Sequence, residues 1–190
     1  KQALVIGNSA YEHTSPLRNP ANDAKEIAKT LKRLGFEVKT LLDANQRKME
    51  QAINDFGNNL RSKKGIGLFY YAGHGVQVRG ENYLLPIDII PQTAADVRYD
   101  AVPVGKLLGQ MEEADNNMNL VILDACRNNP FPQSFRSANQ GLAQVNAPTG
   151  SFISYATAPG QVAADGEGSN GLFTSSLLKH MVVPNLKLEE

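Results

Sequence analysis

The sequence predicts an α/β domain in three layers, α/β/α, with a mostly parallel central sheet flanked by helices. Residues 66–71 and 120–123 are near-continuous apolar runs, the pattern of strands buried on both faces. Between such runs, apolar residues recur at helical spacing. The two kinds of segment alternate along the chain, as crossover units of a parallel sheet require.

Taken in chain order, residues 3–6 form an apolar strand that ends in a turn at Gly7-Asn8. Asn19-Pro20 opens a helix, with Asn19 as N-cap and Pro20 at the first helical position. Ala24, Ile27, Ala28, Leu31 and Leu34 share its apolar face, and Gly35 stops it. Residues 36–42 are β-rich and read as a second strand, followed by a turn or cap at 43–45. Met49, Ala52, Ile53, Phe56 and Leu60 mark a second helix, and residues 66–71 the next strand. Residues 76–85, broken at Arg79-Gly80, read as a hairpin. Pro103, Val104, Leu107, Leu108 and Met111 mark a third helix, ahead of the buried strand at 120–123. Residues 151–155 form a further strand, and Leu172, Phe173, Leu177, Leu178 and Met181 a last helix. Residues 127–150 and 157–170 lack periodicity and read as long loops, which in a compact domain are functional or disordered.

The 190 residues fit one domain, 1–190. At 42% hydrophobic and 20% charged the composition is ordinary for a globular chain and argues against disorder. Nineteen basic and nineteen acidic residues leave a formal net charge of zero. That balance argues against a whole-domain nucleic-acid or membrane footprint while leaving room for a local acidic pocket. No apolar run has the length of a membrane span, and no signal peptide is visible. The chain opens at Lys1 directly in a strand, as an excised domain would. Its single cysteine, Cys126, excludes an intrachain disulfide and a multi-cysteine zinc site. A lone free thiol suits a reducing cytoplasm, which is the expected location.

Chemistry concentrates where two strands end, the place where open sheets of this kind bind ligands. One strand runs into Gly73-His74-Gly75, a histidine flanked by residues without side chains. Another ends in Asp124-Ala125-Cys126-Arg127. A lone cysteine is ordinarily an inert buried hydrophobe. Cys126, however, lies just past a strand, between charged residues and ahead of a polar loop, and His74 stands 52 residues earlier at the corresponding end of another strand. Neighbouring parallel strands would bring the two together. The histidine would take the thiol's proton and the thiolate would attack a carbonyl. The N–H groups of Gly75 and Cys126 are the obvious oxyanion donors. No third member of a triad is compelled.

Val5-Ile6-Gly7-Asn8, Tyr70-Tyr71-Ala72-Gly73-His74-Gly75 and Leu123-Asp124-Ala125-Cys126-Arg127 resemble the caspase-like cysteine peptidases, whose histidine precedes a Gln-Ala-Cys motif by about 50 residues. Asp124 stands in place of that Gln and Asn128 in place of the following Gly. The sequence is therefore closer to the paracaspase and bacterial orthocaspase branch, which Tyr155-Ala156-Thr157-Ala158 and its acid-containing loop also resemble. The resemblance spans residues 1–182 and implies a caspase-like fold.

An Asp beside the nucleophile would repel an acidic substrate side chain and attract Arg or Lys. The paracaspase resemblance supplies two further acids, at Asp23 and Asp165. Three converging carboxylates would favour a guanidinium with its fork of donors. Each acid has a plainer reading: Asp23 at a helix start favours the macrodipole, Asp165 is a solvated loop acid, and Asp124 pairs with Arg127 or Arg18. The resemblance further implies a large-subunit-like part, 1–126, a flexible linker, 127–150, and a small-subunit-like part, 151–190, one strand short of the usual. Many relatives cut themselves in that linker, where Arg136 is the candidate site. Caspase and paracaspase dimers form along the sheet edge, which raises a homodimer as a partner.

The remaining polar residues read plainly. His13 and His180 are surface residues, and Tyr70 and Tyr71 pack. Lys63-Lys64-Gly65 precedes a strand and so is no phosphate loop, and Gly7-Asn8-Ser9 is no dinucleotide fingerprint. Asp88, Asp96 and Asp100 have no coordination spacing, so no metal and no cofactor are expected. The expectation is a cysteine endopeptidase that takes peptide or protein substrates with Arg, then Lys, before the cleaved bond. The alternatives are a non-catalytic caspase-like scaffold and, more distantly, another thiol hydrolase or transpeptidase.

Overall fold

The computed structural model describes residues 1–90, 92–125, 142–156 and 168–184. Along the chain run β1 (Gln2–Gly7), α1 (Pro20–Arg33), β2 (Glu37–Leu42), α2 (Gln46–Lys63), β3 (Ile66–Ala72), β4 (Gly75–Val78), β5 (Glu81–Leu84), α3 (Ala94–Asp100), β6 (Val102–Pro103), α4 (Val104–Glu113), β7 (Met118–Asp124), β8 (Ser151–Tyr155) and α5 (Leu172–His180).

Five strands pair in the order β2-β1-β3-β7-β8, all parallel. Strand alternation sends side chains to two separate cores. Leu4, Ile6, Phe69, Tyr71, Val121 and Leu123 meet α2 and α4. Val5, Leu68, Tyr70 and Ala72, with Leu120 and Ile122, meet α1 and α5. The two cores make the three predicted layers. The chain thus has a three-layer α/β fold, with a parallel central sheet between helices, as expected. No described helix is long and apolar enough to cross a membrane.

Two features of this sheet position the site. The β3–β7 register sets Ala72 opposite Asp124, so Gly73 and Ala125 leave the two strands side by side. The Gly73 N–H then donates to the Asp124 carbonyl at 3.3 Å. Asp124 also has the parity of Leu120 and Ile122, which directs its side chain to the α1 and α5 layer.

Several local details differ from the sequence reading. Asn19 occupies the N-cap of α1, but its side chain makes no capping bond. The Ser9 hydroxyl, from the loop after β1, accepts from the Ala21 N–H at 2.9 Å instead. Asn45 does cap α2, accepting from Lys48 N at 3.0 Å. The Arg79-Gly80 hairpin forms, with both turn residues at positive φ (53° and 85°), but it pairs with β6 in a separate three-stranded sheet. Pro103 ends β6 and precedes α4, a place that suits a residue with no N–H to donate.

Helix α3 has no counterpart in the sequence reading. Its capping box is legible, with Thr93 Oγ1 accepting from Asp96 N and the Asp96 carboxylate from Thr93 N. Only Val97 of its seven residues is buried, so no apolar period announces it. Within the expected loop 127–150, Leu142 is buried against the α2 and α4 core, and Asn82 holds Ala143 by both its N–H and its carbonyl at 2.7 Å.

Candidate active site

Beyond β3 the chain turns through Gly73, where a Cβ would sit 2.6 Å from the Tyr71 hydroxyl oxygen and 2.8 Å from that of Tyr11. Only a residue without a side chain passes there. His74 follows, 2% exposed. Its N–H donates to the Tyr11 hydroxyl at 2.8 Å, and its ring leans on the Tyr11 ring with centroids 4.5 Å apart. Nε2 lies 2.8 Å from the Ser15 carbonyl oxygen. A carbonyl only accepts, so neutral His74 carries its proton on Nε2 and its lone pair on Nδ1. The Ser15 carbonyl thereby takes the orienting role that the sequence left without a candidate.

A hydroxyl network supports this turn from below. Tyr71 directs its hydroxyl at the carbonyls of His74 (2.8 Å) and Leu85 (3.0 Å), and Tyr11 is 3.2 Å from both the Leu85 carbonyl and the Tyr71 hydroxyl. Asn8 Nδ2 donates to the same Leu85 carbonyl at 3.0 Å. Burial, and then the neighbouring Tyr11, push the Tyr71 phenol well above its usual value near 10, so it stays a donor across the neutral range. Tyr71 therefore packs, as read from the sequence, and also braces the histidine's backbone.

Gly75 faces the second motif. A Cβ there would lie 2.9 Å from the Ala125 carbonyl oxygen and 3.0 Å from the Ala125 Cβ. The turn that carries His74 is thus pressed against the residue directly before Cys126. Cys126, Arg136 and Asp165 lie outside the described residues.

The other two predicted acids are buried on the α1 and α5 face. Asp23, in the first turn of α1, accepts from Asn170 Nδ2 at 2.9 Å and from the Gly171 N–H at 3.0 and 3.3 Å. Asp124 accepts from the Thr174 hydroxyl at 2.9 Å, and the Tyr70 hydroxyl is 2.5 Å from that of Thr174. Both carboxylates are therefore held from the start of α5, an arrangement for which the sequence carries no signal beyond a hydroxyl residue on an otherwise apolar helix face. His13 and His180 are exposed, as expected. Among the described residues no three His, Cys, Asp or Glu side chains group as metal ligands would.

The model of the caspase-domain family matches residues 1–190. Mucosa-associated lymphoid tissue lymphoma translocation protein 1 of Homo sapiens is 34% identical over 128 residues, which is 67% of this chain and 15% of that protein. The Mus musculus homolog matches to the same extent. The chain thus aligns with about 15% of the length of these curated relatives. A crystal structure of a Geobacter sulfurreducens protein superposes with a TM-score of 0.68 at 22% identity, covering 94% of this chain and 81% of that one, a likeness of fold. These matches bear out the resemblance read from the motifs.

Proposed function

We propose that this chain, which belongs to the caspase-domain peptidase family, is a cysteine endopeptidase that cuts after Arg and, less readily, after Lys. The observation that carries the reading is the closeness of the two motifs. Ala72 pairs with Asp124, and Gly75 abuts Ala125, so the basic nitrogen of His74 is carried on the turn beside the residue that precedes Cys126.

In this reading His74 Nδ1 takes the Cys126 thiol proton and the thiolate attacks the carbonyl carbon of the scissile bond. The N–H groups of Gly75 and Cys126 receive the developing oxyanion. The C–N bond breaks as His74 returns the proton to the leaving amine, which leaves an acyl-thioester. Water then attacks, gives its proton to Nδ1, and frees the acid and the thiolate. Nδ1 suits the shuttle because the Ser15 carbonyl occupies the proton on Nε2. Asp124 and Asp23, with Asp165, supply negative charge for the substrate's cation. Arg136 is the candidate self-cleavage site, and intact-mass analysis after long incubation should show the cut in the wild type alone.

Matched fluorogenic peptides ending in Arg, Lys or Asp test the reading, with Cys126→Ala as control. Cleavage after Arg that vanishes in the variant supports it. Cleavage after Asp would keep the dyad and overturn the acidic pocket. Silence on all three, together with no labelling of Cys126 by a peptidyl electrophile, would leave a scaffold.

A further inference from the structure

The two described acids stand on different elements, α1 and β7, yet one short piece of chain holds both. Gly171, the N-cap of α5, gives its N–H to Asp23, and Asn170 adds a side-chain bond. Three residues on, the Thr174 hydroxyl binds Asp124. Three residues are roughly 4.5 Å along a helix axis, so α5 acts as a rigid spacer between the anchors of the two carboxylates. The helix start also presents partial positive charge to both.

The hydroxyl chain at Asp124 has one direction. Thr174 donates to Asp124 Oδ2, and a hydroxyl has one proton to give, so Tyr70 donates to Thr174. Tyr70 and Thr174 are fully buried and Asp124 is 1% exposed, so water does not compete for these bonds. A purely structural contact between α5 and the sheet would be served by an apolar residue at position 174. A buried threonine and a buried tyrosine hydroxyl are costly unless their bonds are used.

We propose that Thr174 is a specificity-determining positioning residue. Its hydroxyl fixes the orientation of the Asp124 carboxylate, and the first turn of α5 sets the spacing of that carboxylate from Asp23. This rests on the reading of Asp124 as a receptor for the substrate's cation. The chain's preference for a cationic side chain is then governed by a residue that does not touch the substrate.

The test pairs an Arg peptide with its citrulline counterpart, which has the same shape and no charge. Thr174→Val keeps the volume and removes the hydroxyl. It should raise KM for the Arg peptide about tenfold, the scale of one hydrogen bond to a charged group. It should leave kcat and the citrulline peptide near wild type, and Thr174→Ser should restore the Arg KM. A merely structural role would weaken both peptides alike. Should Thr174→Val fail to fold, Tyr70→Phe removes the donor to Thr174 and should shift the Arg KM the same way by a smaller factor. A wild type that prefers Arg, with variants that keep the full preference, overturns the inference alone. A wild type indifferent to the substrate's charge overturns the underlying reading and the inference with it.

Discussion

Gly75→Ala strains the site at its tightest point. The added methyl would lie 2.9 Å from the Ala125 carbonyl oxygen, 3.0 Å from the Ala125 Cβ and 3.2 Å from Leu142 Cδ2, where ordinary contact begins at 3.4 Å. Leu142 can give way by a side-chain rotation. The Ala125 backbone cannot, because it continues β7, whose last carbonyl is bonded to Gly73 N. Relief therefore requires the His74 turn and the Ala125 segment to separate by about 0.5 Å. As overpacking this costs about 1–3 kcal/mol, well inside the ~5–15 kcal/mol that keeps a domain folded. Chemistry is less tolerant, since a misplacement near 1 Å can cost ~10²-fold in rate. The Gly75 N–H survives the substitution, so the loss comes from displacement. The expected result is a kcat on the Arg peptide roughly tenfold below wild type, with KM little changed. The melting temperature should fall by several degrees at about 2–4 °C per kcal/mol. Gly105→Ala is the control, because a Cβ there meets nothing within 4 Å and the residue sits in α4. That variant should keep full activity and gain about 0.5–1 kcal/mol. Near-wild-type turnover in Gly75→Ala would refute the claim that this contact sets the distance between the two motifs.

Two further perturbations test the supports of the site. Asn82→Ala removes both bonds to Ala143 and should cost about 2 kcal/mol in a denaturant titration, leaving Ala143 with an unmatched N–H and carbonyl; an unchanged midpoint would mean that Asn82 does not anchor this segment. Tyr71 has its pKa raised by burial, so above pH 10 the unfolded chain loses that proton first and binds fewer protons than the folded one. The stability it contributes is fully present below about pH 10 and is lost as pH rises beyond it, so Tyr71→Phe should flatten the alkaline fall of unfolding free energy above about pH 10. Equal slopes in the two proteins would count against the network under His74.

What the sequence disclosed and what it withheld differ in chemical kind. β3 and β7 were legible because strands buried on both faces must be apolar throughout, and their parallel pairing follows from the helices between them. His74 and Cys126 stand out as candidates because an imidazole and a thiol are scarce residue types at strand ends, and Asp124 because a charge at a buried strand end needs a partner. Asp23 is singled out only by the family resemblance, since acids are common at helix starts. The atoms that orient them are not marked in this way. The Ser15 group that binds His74 Nε2 is a backbone carbonyl, which every residue carries. Thr174 and Tyr11 each act through one hydroxyl, from an apolar helix face and from an aperiodic loop. Ser9 caps α1 across a loop, so the local N-cap rule named Asn19 instead. Reacting groups are thus specified by residue type, whereas their orientation is specified by which backbone and hydroxyl oxygens the fold delivers within 3 Å. Swapping a reacting group should abolish activity. Swapping the Thr174 hydroxyl should instead change which substrate is preferred, and that difference separates Thr174 from Cys126 at the bench.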